Sequence, residues 1–282
     1  MRALLRYLYV PFIGSLALLA IWVAGRDASY WHLTMIVLTG ITASFVAEHV
    51  VPVDVEWNRD QGDQSRDLMH TVVNEALAAA CLISLPLLGA AFTVADCWPD
   101  GLPFLVQALG AILVFDLGVT LAHLASHKVG VLWRFHAVHH SVRRLYGLNG
   151  LMKHPFHQLI ETAAGFTPLL FFGIAESVAA GLAACTALQL LLQHSNVDYR
   201  VGSLERWLAL NRGHRLHHLR WPGAGDVNFG LFTLLWDRLF GTYDAPGRVV
   251  TSDHLGIAAQ SDYPMSYLAQ LAQPFRRAEA VS

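Results

Sequence analysis

The feature that most limits what this chain can fold into is a series of apolar runs long enough to cross a bilayer. About 30 Å of hydrocarbon at 1.5 Å per residue calls for about 20 apolar residues. The first run covers residues 8–25, LYVPFIGSLALLAIWVAG, and the second residues 31–51. A third occupies 72–94 and a fourth 104–125, the last carrying the acidic Asp116. Two shorter runs, 159–174 and 178–192, are parted by a few residues around Glu176 and read as a helical hairpin that stops short of a full crossing. The pattern predicts an all-α integral membrane protein with four transmembrane helices plus a helical hairpin.

Composition agrees. Hydrophobic residues make up 54% of the 282 and charged residues 14%, against roughly a quarter charged in a soluble domain. A net charge of -2 with no basic run excludes the electrostatic footprint of nucleic-acid binding. Cys81, Cys97 and Cys185 are too scattered for a disulfide framework or a thiolate metal site. Arg2 and Arg6 flank the first run, but no small-residue cleavage site follows, so the run is expected to be an anchor and not a leader. With the N-terminus cytoplasmic, Arg26 is the only one of the 19 Lys and Arg residues on the far side. The reverse orientation translocates nearly all of them, which fixes the expected topology. Both long polar segments, 126–157 and 194–282, then face the cytoplasm.

Most of the 15 histidines fall in those segments or at their edges. His123 and His127 form HLASH, His136, His139 and His140 form HAVHH, and His214, His217 and His218 form HRLHH. Residues at i, i+3 and i+4 share a helix face, so each cluster aims imidazoles at one place. Adjacent histidines diverge by about 100°, so a doubled histidine can serve two metal ions. Lone helix histidines are usually packed or solvated, and His32, His49, His70 and His254 are placed in that class. Eight histidines in three clusters at one membrane face are costly to bury without partners, and metal binding is the better reading. His194 in QHSNVD is the candidate ninth ligand. His154 and His157 stand beside Pro155, which restarts a helix, and either can be a polar cap at the membrane boundary.

Asp116, Thr120, His123 and His127 form one helical stripe. Asp116 is expected to accept the N–H of a ligating imidazole, with a hydrogen bond to a neighbouring helix as the competing role. Glu161 shares a face with His154 and His157 and carries the same two readings, and Glu75 is read as structural. Asn196 and Asp198 are expected to support His194. The three expected regions are 1–103, transmembrane; 104–245, catalytic; and 246–282, a cytoplasmic tail. Pro264 and Pro274 interrupt the tail, where Met265, Leu268 and Leu271 suggest a surface helix or cover.

HLASH, LWRFHAVHHS, NGLMKHP, QHSNVD, NRGHRLHH and NFGLFTLLWDRLFGTY stand in the order and spacing of one family. The chain resembles the fatty acid hydroxylase superfamily, also called the sterol desaturase family, over residues 114–243. The resemblance implies a cytoplasmic, histidine-rich helical cap with a dimetal site, two iron ions in the active form (zinc in a purified or inactive one), and O₂-dependent oxidation of a membrane lipid. It also implies that His123, His127, His136, His139, His140, His194, His214, His217 and His218 are ligands. Asp198 stands where some relatives have a further histidine.

Imidazole suits iron, zinc and copper alike. Two clustered sites beneath a membrane favour redox work on a lipid over metal storage. Hydroxylation is the leading expectation and desaturation its neighbour, since both begin with hydrogen abstraction. A divalent-metal transporter is the alternative of another class, disfavoured because the histidines gather at one face and no inverted repeat is apparent. HExxH is absent, which removes a zinc protease. No cluster-binding cysteine set, CxxCH or Rossmann glycine fingerprint occurs in the sequence, so a separate ferredoxin-like or cytochrome-like electron donor is expected.

Overall fold

The computed structural model describes residues 2–26, 30–95 and 97–276. The last six residues of the expected tail therefore lie outside the described residues. Helices α1 (Arg2–Ala24), α2 (Tyr30–Val50), α3 (Gln64–Ile83), α4 (Leu85–Phe92) and α5 (Phe104–Lys128) are followed by α6 (Gly130–His140), α7 (Pro155–Phe171), α8 (Glu176–His194), α9 (Asn211–His217), α10 (Leu235–Phe240) and α11 (Tyr267–Ala272). Among the described residues β-structure is limited to two isolated bridges, Pro52 with Val197 and Leu208 with Thr233.

Among the described residues four helices are long and apolar enough to cross a membrane: α1, α2, α5 and α8. That set differs from the one the apolar runs suggest. The third run is not a single straight helix: α3 and α4 meet at a 54° bend, and the pair counts as a fifth span only if read as one broken crossing. Pro86 in the first turn of α4 explains the break, because it has no N–H for the carbonyl one turn back and its ring collides with that turn. In the hairpin, α8 reaches crossing length by itself, while α7 stops at 17 residues.

Helix α8 is the centre of the molecule. Some 72% of its most apolar window is buried inside the protein, against 33% for α1 and for α2, whose outer faces are left for lipid. Leu188 and Leu191 of α8 pack with Ile13, Leu16 and Ile36 of α1 and α2 in one core. Val178 and Leu182 pack with Phe115, Val119 and Leu169 of α5 and α7 in another. The α5–α7 crossing is close enough to need glycine. A Cβ on Gly118 would lie 2.2 Å from the Ala164 carbonyl oxygen, and one on Gly165 would lie 2.4 Å from the Phe115 ring. Small residues at such a crossing let backbones approach where the membrane offers little hydrophobic drive.

Beyond the ends of α5 and α8 lies a cap with its own core of Trp57, Val138, Val142, Leu145, Met152 and Leu216. The loop after α2 is tied into it by Arg144, whose Nη2 and Nε donate to Asp63 at 2.7 and 3.0 Å. Gln270 of α11 is fully buried and donates to Ser141 Oγ and the Pro264 carbonyl. The described part of the tail thus covers the cap.

Candidate metal centre

Helix α5 brings His123 and His127 to its last two turns, and Val129 turns the chain into α6. Helix α6 carries His136, His139 and His140, α9 carries His214 and His217 with His218 as its C-terminal cap, and α8 ends on His194. The nine imidazoles form two groups: His123, His127, His136, His140 and His217 in one, and His139, His194, His214 and His218 in the other. Within each group the nitrogens lie within 4.8 Å of one another. The doubled histidines split as their 100° divergence requires. His136 and His140 face the five-histidine group while His139 faces the other, and α9 answers in reverse with His217 against His214 and His218.

The ring nitrogens facing away from the groups show what the inner ones carry. His123 Nδ1 lies 2.9 Å from the Phe229 carbonyl oxygen, His217 Nδ1 3.0 Å from that of Val227, and His139 Nδ1 3.1 Å from that of Met152. A carbonyl only accepts, so these Nδ1 atoms hold the proton and the neutral ring's Nε2 is a bare lone pair. Burial keeps His136, His139, His140, His214, His217 and His218 neutral by pushing each well below its ordinary value of 6.5. Yet His123 Nε2 and His217 Nε2 are 2.9 Å apart. Two lone pairs at that distance repel unless a cation lies against both. Ligands about 2.05 Å from one ion and at right angles are about 2.9 Å apart, so the donor set fits a metal. In the second group His194 Nε2 and His214 Nε2 are 2.9 Å apart and His214 and His218 3.0 Å.

Asp226, which the sequence pattern did not single out, accepts from His127 Nδ1 at 2.9 Å and pairs with Lys128. These contacts hold its carboxyl far below the usual carboxylate range. Between the two carbonyls that receive His217 and His123 stands Asn228, a non-glycine residue at φ 55°. Its amide offsets the strain by donating to the carbonyls of Gly213 and Asp244. Asp237 accepts from the N–H groups of Phe229 and Gly230 at 2.8 and 2.9 Å. The only sequence signal for these anchors is the pair of segments NFG and WDRLFGTY.

Asp116 differs from expectation. Its carboxylate accepts from the backbone N–H groups of Leu231, Phe232 and Thr233 and from the Thr233 hydroxyl, at 2.8–3.0 Å. It thereby holds the same loop and orients no imidazole, its oxygens being taken by three successive N–H groups and a hydroxyl. Asn196 is also corrected. Its side chain joins Asp54 and Asn58, and its backbone N–H donates to Glu48, so it fastens the loop after α2. Asp198 pairs with Arg6 at 2.9 Å instead of supporting His194; His194 Nδ1 reaches the Leu190 carbonyl.

His154 is a helix cap, its Nδ1 accepting from the Phe156 N–H at 3.1 Å. His157 lies 3.1 Å from Ser126 Oγ with its ring 4.4 Å from that of His136, and it belongs to neither group. Glu161 pairs with Lys153. His70 is buried against the Lys153 carbonyl and Gln270.

Residues 108–242 match the family described as fatty acid hydroxylase. An ornithine lipid hydroxylase, OlsE of Rhizobium tropici, is 33% identical over 94% of this chain and 85% of its own length. Alkylglycerol monooxygenase of Homo sapiens is 31% identical over 50% of this chain, and the sphingolipid C4-hydroxylase sur2 of Schizosaccharomyces pombe is 31% identical over 39%. The matches cover 31% and 38% of those two proteins. No solved structure matches the chain.

Proposed function

The chain belongs to the fatty acid hydroxylase family, and from that premise we propose that it hydroxylates a C–H bond of a membrane lipid, using O₂ and a metal ion in each histidine group. The observation that carries this reading is the 2.9 Å approach of His123 Nε2 to His217 Nε2, with both Nδ1 protons committed to carbonyls. Iron is the metal proposed for both groups, and a separate ferredoxin-like or cytochrome-like protein the electron donor. The N-terminus and the cap face the cytoplasm in this reading, where such a donor reaches the cap while the substrate stays in the bilayer. The Rhizobium tropici relative is named for an ornithine lipid, so a lipid with an amino-acid headgroup is the first substrate to test.

In the balance of the reaction, R–H, O₂, two electrons and two protons give R–OH and water. Two bound iron ions supply the electron transfer that activates O₂ against an unreactive C–H bond. The chain's own part is placement. Carbonyls of Leu190, Met152, Val227 and Phe229, with Asp226, fix five imidazoles in one tautomer and direction. Burial of the cap side chains keeps bulk water from the groups, which protects a reactive centre from side reactions. Metal translocation finds no support: the imidazoles gather in two adjacent groups instead of marking a path, and the named relatives are hydroxylases and monooxygenases.

The test is ¹⁸O₂ labelling of cells or membranes containing the iron-loaded protein and an active reductase, followed by lipid mass spectrometry. One labelled hydroxyl is expected. A product lighter by two hydrogens and without label identifies a desaturase instead, and an unchanged lipid pool overturns the oxidative reading.

A further inference from the structure

We propose that Glu75 recognises the substrate headgroup by binding a primary ammonium. This deepens the lipid hydroxylase reading and rests on it for the identity of the ligand as substrate. Glu75 lies on the face of α3 that also carries Leu68 and Val72, which are 53% and 59% exposed. Those exposures mark the face turned to lipid. The neighbouring face of the same helix is the buried one, with Arg66, Asp67, His70 and Asn74. Each of those four has hydrogen-bond partners. Glu75 has no hydrogen-bond or ion-pair partner among the described residues, so the structural role expected for it has no polar contact to rest on. Glu48, the acidic residue of α2, is by contrast satisfied by the N–H groups of Gly147 and Asn196.

The Glu75 side chain borders a narrow cleft of about 20 Å³, whose other walls include Val37 and Ile41 of α2, Leu190 of α8, and the turn containing Gly147 and Leu151. That is room for one water-sized group. It suits –NH₃⁺ and is too small for a trimethylammonium. An apolar cleft with one unpaired carboxylate, open toward lipid, selects a cation carried on an apolar chain, because an ionisable group in such surroundings needs a partner. The cleft wall is also the seat of the four-histidine group. The Leu190 carbonyl receives His194 Nδ1, and a Cβ on Gly150 would lie 3.0 Å from that same nitrogen. The cleft that Glu75 borders and the four-histidine group thus share Leu190.

Carbodiimide coupling tests the proposal on the full-length, metal-loaded protein in detergent, with octadecylamine as probe. A bound amine is joined to the Glu75 carboxylate as an amide that peptide mass spectrometry locates. The expected result is a saturable octadecylamide at Glu75, unaffected by excess octadecanol or octadecyltrimethylammonium. Absence of the adduct, a yield linear in amine without saturation, or competition by the trimethylammonium compound overturns it. In turnover, Glu75→Gln should raise KM for an amine-headed lipid by about tenfold or more, as loss of a charged hydrogen bond does. Metal content, kcat and the KM for the N-acetylated lipid should stay unchanged; an equal KM rise for both lipids also overturns the proposal. Saturable coupling in a protein that oxidises no lipid would sink the hydroxylase reading and leave the ammonium site standing.

Discussion

In the five-histidine group, three Nδ1 atoms are held from one short stretch of chain, at Asp226, Val227 and Phe229. In the four-histidine group, the held Nδ1 atoms are those of His194, on the Leu190 carbonyl one turn back in its own helix, and His139, on the Met152 carbonyl. The first arrangement depends on a loop that closes over α5 from about a hundred residues further along the chain. The second depends on helix α8 and a turn that follows α6 closely. The loop in turn hangs on two carboxylates, Asp116 and Asp237. Helices from the same cap thus feed both groups, but the five-histidine group carries the greater debt to tertiary structure. Damage to the loop should reach it first.

The sharpest test removes one proposed ligand from each group. His217→Ala and His214→Ala should each lower the metal content from two ions per chain to one and abolish turnover, since losing a ligand exceeds the roughly 10–100-fold loss seen for an outer partner. Elemental analysis after chelator-free purification decides it. If either substitution empties both groups, the two are one cooperative unit and the comparison fails.

Asp116→Ala comes next in size. It leaves the buried N–H of Leu231, and the half-buried N–H groups of Phe232 and Thr233 with the Thr233 hydroxyl, without their acceptor, the buried one alone worth roughly 1–3 kcal/mol before any relaxation. Thermal unfolding should shift down by several degrees, and one metal should be lost while the four-histidine group keeps its own. Equal loss from both groups would show that the loop serves the whole cap.

Acid should treat the groups alike. Burial lowers the proton affinity of His136, His140 and His217 in one group and of His139, His214 and His218 in the other. A histidine whose folded pKa lies below its unfolded value of about 6.5 adds stability that is complete above that value and lost as pH falls below it. The chelator-treated protein should therefore hold its Tm from pH 8 to about pH 7 and lose it steadily toward pH 5. A flat profile would mean that the imidazoles are solvated without metal.

The smallest effect is expected from Asp226→Asn, which keeps an acceptor for His127 but removes the charge. Affinity at the five-histidine group should fall by about tenfold, the low end for an outer partner, with the four-histidine group unchanged in a metal titration.

Apolar run length and helical histidine spacing made much of this architecture legible from residues alone. Both are local: a span is a count of consecutive apolar residues, and i, i+4 pairing is a property of one helix. The bend at Ser84 also had its signal in Pro86, although hydropathy hides it because proline interrupts hydrogen bonding without making the run polar. The 100° divergence of adjacent histidines foretold that doubled residues would part, and the two groups show them parted. Which group each joins was decided by how α6 and α9 face one another. Asp116, Asn196 and Asp226 mark where local reasoning stops. A carboxylate beside a histidine stripe looks like a partner for the next imidazole, but hydrogen bonding rewards whichever donors the fold delivers. Here a distant loop delivers three backbone N–H groups to Asp116, and Asp226 comes from 99 residues beyond His127 to take the imidazole. The sequence by itself determined three of the membrane helices, α1, α2 and α5, and the histidine stripes and their doubling, because those follow from run length and periodicity. Only the tertiary structure decided which nitrogens converge and what holds them, because those contacts are made by loop closure across the chain.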